Sequence, residues 1–70
     1  MPTPRVEYDV EADAAYIYFV EEVLKGGVDR TISMDPRDGM INIDLDSDGR
    51  IVGIEIMDAS RMLPPDLLQA

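Results

Sequence analysis

Apolar and polar side chains alternate along much of this chain, and turn residues interrupt the alternation every ten residues or so. Val6 and Tyr8 alternate with Arg5, Glu7 and Asp9, which predicts a short first strand. Residues 9–13, Asp-Val-Glu-Ala-Asp, read as a turn, because Asp side chains accept hydrogen bonds from the backbone that follows them. The run 14–20, Ala-Ala-Tyr-Ile-Tyr-Phe-Val, allows two readings. Ala12, Tyr16, Val20 and Val23 fall near helical spacing, whereas the aromatic and β-branched content and the short length favour a strand. Lys25-Gly26-Gly27 ends the run in a flexible turn. Val28, Arg30, Ile32 and Met34 alternate with Asp29, Thr31 and Ser33 in a third strand, and residues 35–39, Asp-Pro-Arg-Asp-Gly, form a strong turn signal.

The clearest hairpin follows. Ile41, Ile43 and Leu45 alternate with Asn42, Asp44 and Asp46, the turn is Asp46-Ser47-Asp48-Gly49-Arg50, and a strand over 51–57 completes it. That last strand is apolar on both faces apart from Gly53 and Glu55, which predicts a central position under some cover. The C-terminal segment supplies the cover, with Asp58 or Ser60 capping a short helix that carries Met62 and Leu63 before Pro64-Pro65 breaks it. Residues 66–70 read as a last turn. The expected fold class is mainly β (α+β), about five antiparallel strands with a short C-terminal helix over one face.

Seventy residues make one small domain, its core expected over about 5–63, and a chain this short needs help to be stable. It has no cysteine and no histidine, which excludes disulfides, thiolate nucleophiles, Cys-ligated zinc and imidazole bases. Oligomerisation or an oxygen-ligated metal is what remains. A net charge of −9 disfavours nucleic acid and anionic membrane surfaces and favours basic proteins or cations. At 46% hydrophobic residues the chain is too apolar for a disordered segment. Residues 1–8 lack the apolar stretch of a signal peptide, and the longest apolar run, 14–20, is far short of the roughly 18 residues a membrane span needs. A cytoplasmic location is the default expectation.

One chemical motif stands out. Asp44-x-Asp46-x-Asp48-Gly49-x5-Glu55 fits the calcium-loop pattern, in which clustered carboxylates supply hard oxygens. Its context opposes an EF-hand. Pro36 and Gly39 lie where the entering helix should run, residues 40–46 alternate with period two, and Glu55 sits in a strand that carries it roughly 20 Å from the turn. The favoured reading is an Asp- and Gly-rich hairpin turn that holds no metal. The alternative is a weak cation site at Asp44, Asp46 and Asp48. A second acidic trio, Asp9, Glu11 and Asp13, reads as carboxylates that organise a bend. Ser33, Ser47 and Ser60 have no histidine to activate them, and Lys25, the single lysine, lies in a Lys-Gly-Gly turn. Gly26-Gly27 is no phosphate loop, and Tyr8, Tyr16 and Tyr18 without basic neighbours are packing residues rather than a nucleic-acid platform. No catalytic residue and no cofactor is expected.

The opening Tyr8-Asp9-Val10-Glu11-Ala12-Asp13-Ala14-Ala15-Tyr16-Ile17 and the close Asp48-Gly49-Arg50-Ile51-Val52-Gly53-Ile54-Glu55-Ile56-Met57-Asp58-Ala59-Ser60 resemble a prokaryotic family of short proteins classed as a domain of unknown function. The resemblance spans about residues 5–63. It implies a compact β-meander with a short C-terminal helix and tips 14–20 toward a strand. It implies no activity and carries over no functional residue. The functional expectation is therefore a non-enzymatic protein-interaction or structural module acting as a homo-oligomer, most simply a C2 homodimer. An acidic partner that neutralises a basic, toxin-like protein and a Ca²⁺-binding module are the alternatives.

Overall fold

The structure is a computed structural model and describes residues 3–35 and 40–69. It contains five strands, β1 (Arg5–Asp9), β2 (Ala14–Tyr18), β3 (Arg30–Met34), β4 (Ile41–Leu45) and β5 (Ile51–Met57). A four-residue helix α1 (Ala59–Met62) and a 3-10 turn (Pro65–Leu68) follow. The strands form one antiparallel sheet in the order β1-β2-β5-β4-β3. The order is meander-like: β3, β4 and β5 run back and forth in sequence, and the β1–β2 hairpin adds to the free side of β5. The last strand is thus the central one, as expected, but only one of its faces is apolar and covered, because Gly53 and Glu55 lie on the other. The turn expected at 35–39 falls largely outside the described residues.

Register settles the ambiguous run. Residues 14–18 pair with 5–9 on one side and with 53–57 on the other. A helix there would orphan the backbone of both neighbours, so pairing overrides the weak helical spacing. Two elements are shorter than their alternation suggests. β2 stops at Tyr18 because its partner β1 begins at Arg5. β3 starts at Arg30 rather than Val28 because β4 ends at Leu45 and turns away.

Cross-strand pairing separates the faces. One carries the rows Val6–Ile17–Ile54–Ile43–Ile32 and Tyr8–Ala15–Ile56–Ile41–Met34. α1 lies over the second row, with Ala59 fully buried against Ala15 and Ile56. Two alanines at this contact let the helix backbone come close to the sheet, and Met62, Leu63 and Leu68 close round it. The buried hydrophobic set is small: Ala15, Leu45, Val52, Ile56 and Ala59, with no large side chain fully enclosed among the described residues.

The hairpin turns follow from side-chain chemistry. Asp46 Oδ1 accepts from the Asp48 and Arg50 N–H groups, both at 2.9 Å, while Gly49 takes φ 80°, which a side chain would resist. Asp9 Oδ1 accepts from the N–H groups of Glu11 (3.0 Å) and Ala12 (3.3 Å) in the β1–β2 turn. A register shift at Asp44/Leu45 adds a bulge where β5 starts.

Candidate functional site

The opposite face of the sheet is polar and carries a connected network. Its rows are Glu7–Tyr16–Glu55–Asn42–Ser33 and Arg5–Tyr18–Gly53–Asp44–Thr31. Gly53 is the gap that organises them. A Cβ there would collide with the Tyr16 ring, so the absent side chain lets the ring lie across β5. The Tyr16 hydroxyl thereby reaches Asp44 on β4 and donates to Oδ2 at 2.6 Å. Thr31 donates to Asp44 Oδ1, also at 2.6 Å, and Asn42 links Ser33 to Glu55 at 2.7 and 2.8 Å.

On the β1 side, Tyr18 donates to Glu7 at 3.1 Å and packs its ring 4.6 Å from that of Tyr16. The Arg5 guanidinium stacks 4.0 Å above the Tyr18 ring and donates to the Glu21 carbonyl at 2.8 Å. Arg5, Tyr16, Tyr18, Glu21, Glu22 and Asp44 border a shallow hollow of about 450 Å³. Desolvation, then the bond to Asp44, raises the Tyr16 phenol well above its ordinary value. Desolvation, then the bond to Glu7, also raises the Tyr18 phenol, with Arg5 acting in the opposite sense. Both hydroxyls are held as proton donors, the opposite of what a tyrosine nucleophile needs.

A second cluster fastens the helix. Asp13, at φ 50°, accepts from the Tyr8 hydroxyl at 2.6 Å and from the Ser60 N–H and hydroxyl at 3.0 and 2.8 Å. Its carbonyl accepts from the Ala59 N–H at 2.9 Å. The first turn of α1 is capped by a residue 47 positions away, while Asp58, at φ 58°, makes no cap bond of its own and instead accepts from Arg61 at 2.8 Å. Hydrogen bonds from Tyr8 and Ser60 hold the Asp13 carboxyl below the usual range, and the same Tyr8–Asp13 bond raises the Tyr8 phenol.

The sequence-predicted residues divide accordingly. Asp44 is bound into the polar face, Asp46 caps its own turn, and Asp48 points to Arg50 at 3.9 Å. Glu55, within β5, accepts from Asn42 on β4. Strands, not helices, flank the calcium-like motif. Among the described residues no three His, Cys, Asp or Glu side chains gather as a metal-binding group. Of the second trio, Asp9 organises the bend and Asp13 clasps the helix. Ser33 and Ser60 are hydrogen-bonded within these clusters. Sequence reasoning missed the Tyr16–Gly53–Asp44 crossing and the Asp13–Ser60 clasp. The available signal for the first was a glycine inside the strongest strand of the chain.

A small antiparallel sheet, closed on one face by a short helix clasped to the first hairpin and open on the other, is the class of protein the geometry defines. Residues 5–60 match the family described as protein of unknown function (DUF2283), and the chain belongs to that family. No curated protein and no solved structure matches it. The clasp joins the two stretches that carry the family resemblance, since Tyr8 and Asp13 lie in the opening and Ala59 and Ser60 in the close. Among the described residues no helix is long and apolar enough to cross a membrane.

Proposed function

We propose that this chain is a non-enzymatic protein-interaction module that acts as a homo-oligomer. The observation that carries the reading is the imbalance between buried and exposed apolar side chains. Among the described residues five hydrophobic ones are buried, two of them alanines, while Ile32, Met34, Phe19, Leu24 and Ile51 are exposed. A domain with so thin a core gains stability by covering apolar surface with another chain. The polar face supports the non-enzymatic part of the reading. Its carboxylates accept structural bonds, its phenols are held protonated, and its hollow is shallow. Sedimentation of the full chain at micromolar concentration tests the reading, which expects about twice 7.8 kDa. A 7.8 kDa species at every accessible concentration would refute it.

The polar hollow favours one second reading, an acidic module that takes a basic partner. Arg5 already stacks on Tyr18 beside Glu7, showing a guanidinium in an aromatic and acidic setting. Titration with an arginine-rich peptide at low and high salt tests this reading, which expects micromolar binding that weakens as salt rises.

A further inference from the structure

We infer that the open polar face of the sheet seats an arginine guanidinium from a basic partner protein, over Ala14 and beside Tyr16, among the carboxylates of Glu7, Asp9 and Glu55. The inference rests on the acidic-module reading and names its site. Strand pairing builds the hollow. The row Glu7–Tyr16–Glu55 sets an aromatic ring between two carboxylates, and the next row sets Ala14 between Asp9 and Met57. Alternation turns these side chains to one face. Alanine reaches no further than its Cβ, so a hollow of about 290 Å³ opens over β2, lined by Tyr16 and the three acids. α1 and the 3-10 turn pack on the opposite face, and the loop after β2 borders the other hollow, where Glu21, Glu22 and Val23 stand.

Charge and hydrogen-bonding capacity choose the occupant. Three acids line this hollow and three line the other, against one arginine, Arg5, so the face is complementary to a cation. Asp9 spends Oδ1 on its turn and Glu55 spends Oε1 on Asn42, while Asp9 Oδ2 and Glu55 Oε2 accept no hydrogen bond among the described residues. Both carboxylates therefore keep capacity for a donor. Glu7 and Glu55 stand on strands two spacings apart, roughly 10 Å, and among the described residues no three acids gather as a metal-binding group. That spread suits a broad cation better than a bare ion. A guanidinium presents N–H donors along several edges of a plane and stacks on aromatic rings, whereas an ammonium is a point charge. The chain supplies its own example. The Arg5 guanidinium lies 4.0 Å above the Tyr18 ring, 3.7 Å from Glu7 and 2.8 Å from the Glu21 carbonyl, and no basic residue lines the Tyr16 side among the described residues.

NMR titration at one fixed protein concentration tests the site, with an arginine-rich peptide, a lysine-rich peptide of equal charge and spermine as probes. At about 0.1 M salt, charges more than about 10 Å away are largely screened. The parent should bind the arginine peptide with its largest amide shifts at Glu7, Asp9, Ala14, Tyr16 and Glu55, and bind the other two probes at least about fivefold more weakly. Ala14→Leu fills the hollow without changing charge. Glu7→Gln with Glu55→Gln removes two charges, while the amide oxygens can still accept from Tyr18 and Asn42. Each of these proteins should bind the arginine peptide about tenfold more weakly. Asp29→Asn with Asp66→Asn removes the same charge away from the hollow and should change binding by less than about twofold. Equal affinity in all four proteins, or shifts spread over the whole surface, overturns the site and leaves the acidic-module reading standing. Lysine peptide or spermine binding as tightly as the arginine peptide overturns the choice of guanidinium. A parent that binds no arginine peptide even at about 0.01 M salt overturns the site and the reading together. Should Ala14→Leu unfold, the two charge-removing pairs decide.

Discussion

Replacing Gly53 by alanine tests the polar face most sharply, because general principle and this structure predict opposite signs. Alanine in place of a strand glycine ordinarily stabilises by about 0.5–1 kcal/mol, since glycine loses more backbone freedom on folding. Here the added Cβ would fall inside the space of the Tyr16 ring. Overpacking of this kind costs roughly 1–3 kcal/mol. Driving the ring aside also breaks its 2.6 Å bond to the Asp44 carboxylate, and bonds to charged groups contribute about 1.5–3 kcal/mol when well shielded, less on a half-exposed face. Offsetting the entropy gain leaves a net loss near 2 kcal/mol, or a melting temperature lower by about 8–16 °C for a domain this small. Thermal melting at one fixed protein concentration reads this directly, as the concentration must be held if the chain associates. The control is the same substitution in a Tyr16→Ala background, where no ring remains to displace. There Gly53→Ala should be neutral or stabilising, giving a coupling energy of about 2 kcal/mol between the two sites. Gly53→Ala melting at or above the parent, or an equal loss in both backgrounds, would refute the proposed crossing of Tyr16 over Gly53.

Three further outcomes are expected. Asp13→Asn keeps the shape and tolerates the positive φ but loses the charged acceptor of Tyr8 and Ser60, so it should lower the melting temperature by several degrees and speed amide exchange in α1 first; uniform loss across the sheet would contradict the clasp. The pH profile should fall at both ends. The Asp13 carboxyl is held below 3.8, so its contribution is present above that pH and lost as pH falls through the folded value. Tyr16 is raised above 10.0, so its contribution is present below pH 10 and lost as pH climbs toward the folded value; Tyr16→Phe should make the alkaline fall shallower. At the β4–β5 turn, Gly49→Val meets φ 80° and should cost about 1–3 kcal/mol with or without calcium. Ca²⁺, Mg²⁺ and monovalent salt at equal ionic strength should shift the parent's melting alike, whereas a calcium-selective rise abolished by Asp46→Asn would establish a cation site there.

The sequence alone determined four of the five strands and the central one among them. Alternation marks strands over 5–9, 28–34 and 41–46, and a run apolar apart from Gly53 and Glu55 marks 51–57, because a strand exposes side chains to opposite faces with period two. It also determined the β4–β5 turn, where Asp46 and Gly49 act through their own neighbouring backbone. Each of these properties is local, and local physics is written in consecutive residues. Tertiary structure decided the rest. Residues 14–18 form a strand because two partners pair with them, and no short-range spacing reports a partner nearly 40 positions away. Asp13 reads as one more turn carboxylate until folding brings Ser60, 47 positions on, to it. Tyr16 and Asp44 lie 28 positions apart and meet only because β5 inserts between β2 and β4 and presents a glycine at the crossing. The calcium-like spacing shows the converse. Its acids satisfy a pattern in sequence, but extended strands on both sides of the turn carry Asp44 and Glu55 into different rows of the sheet, where each is bound by its own neighbours.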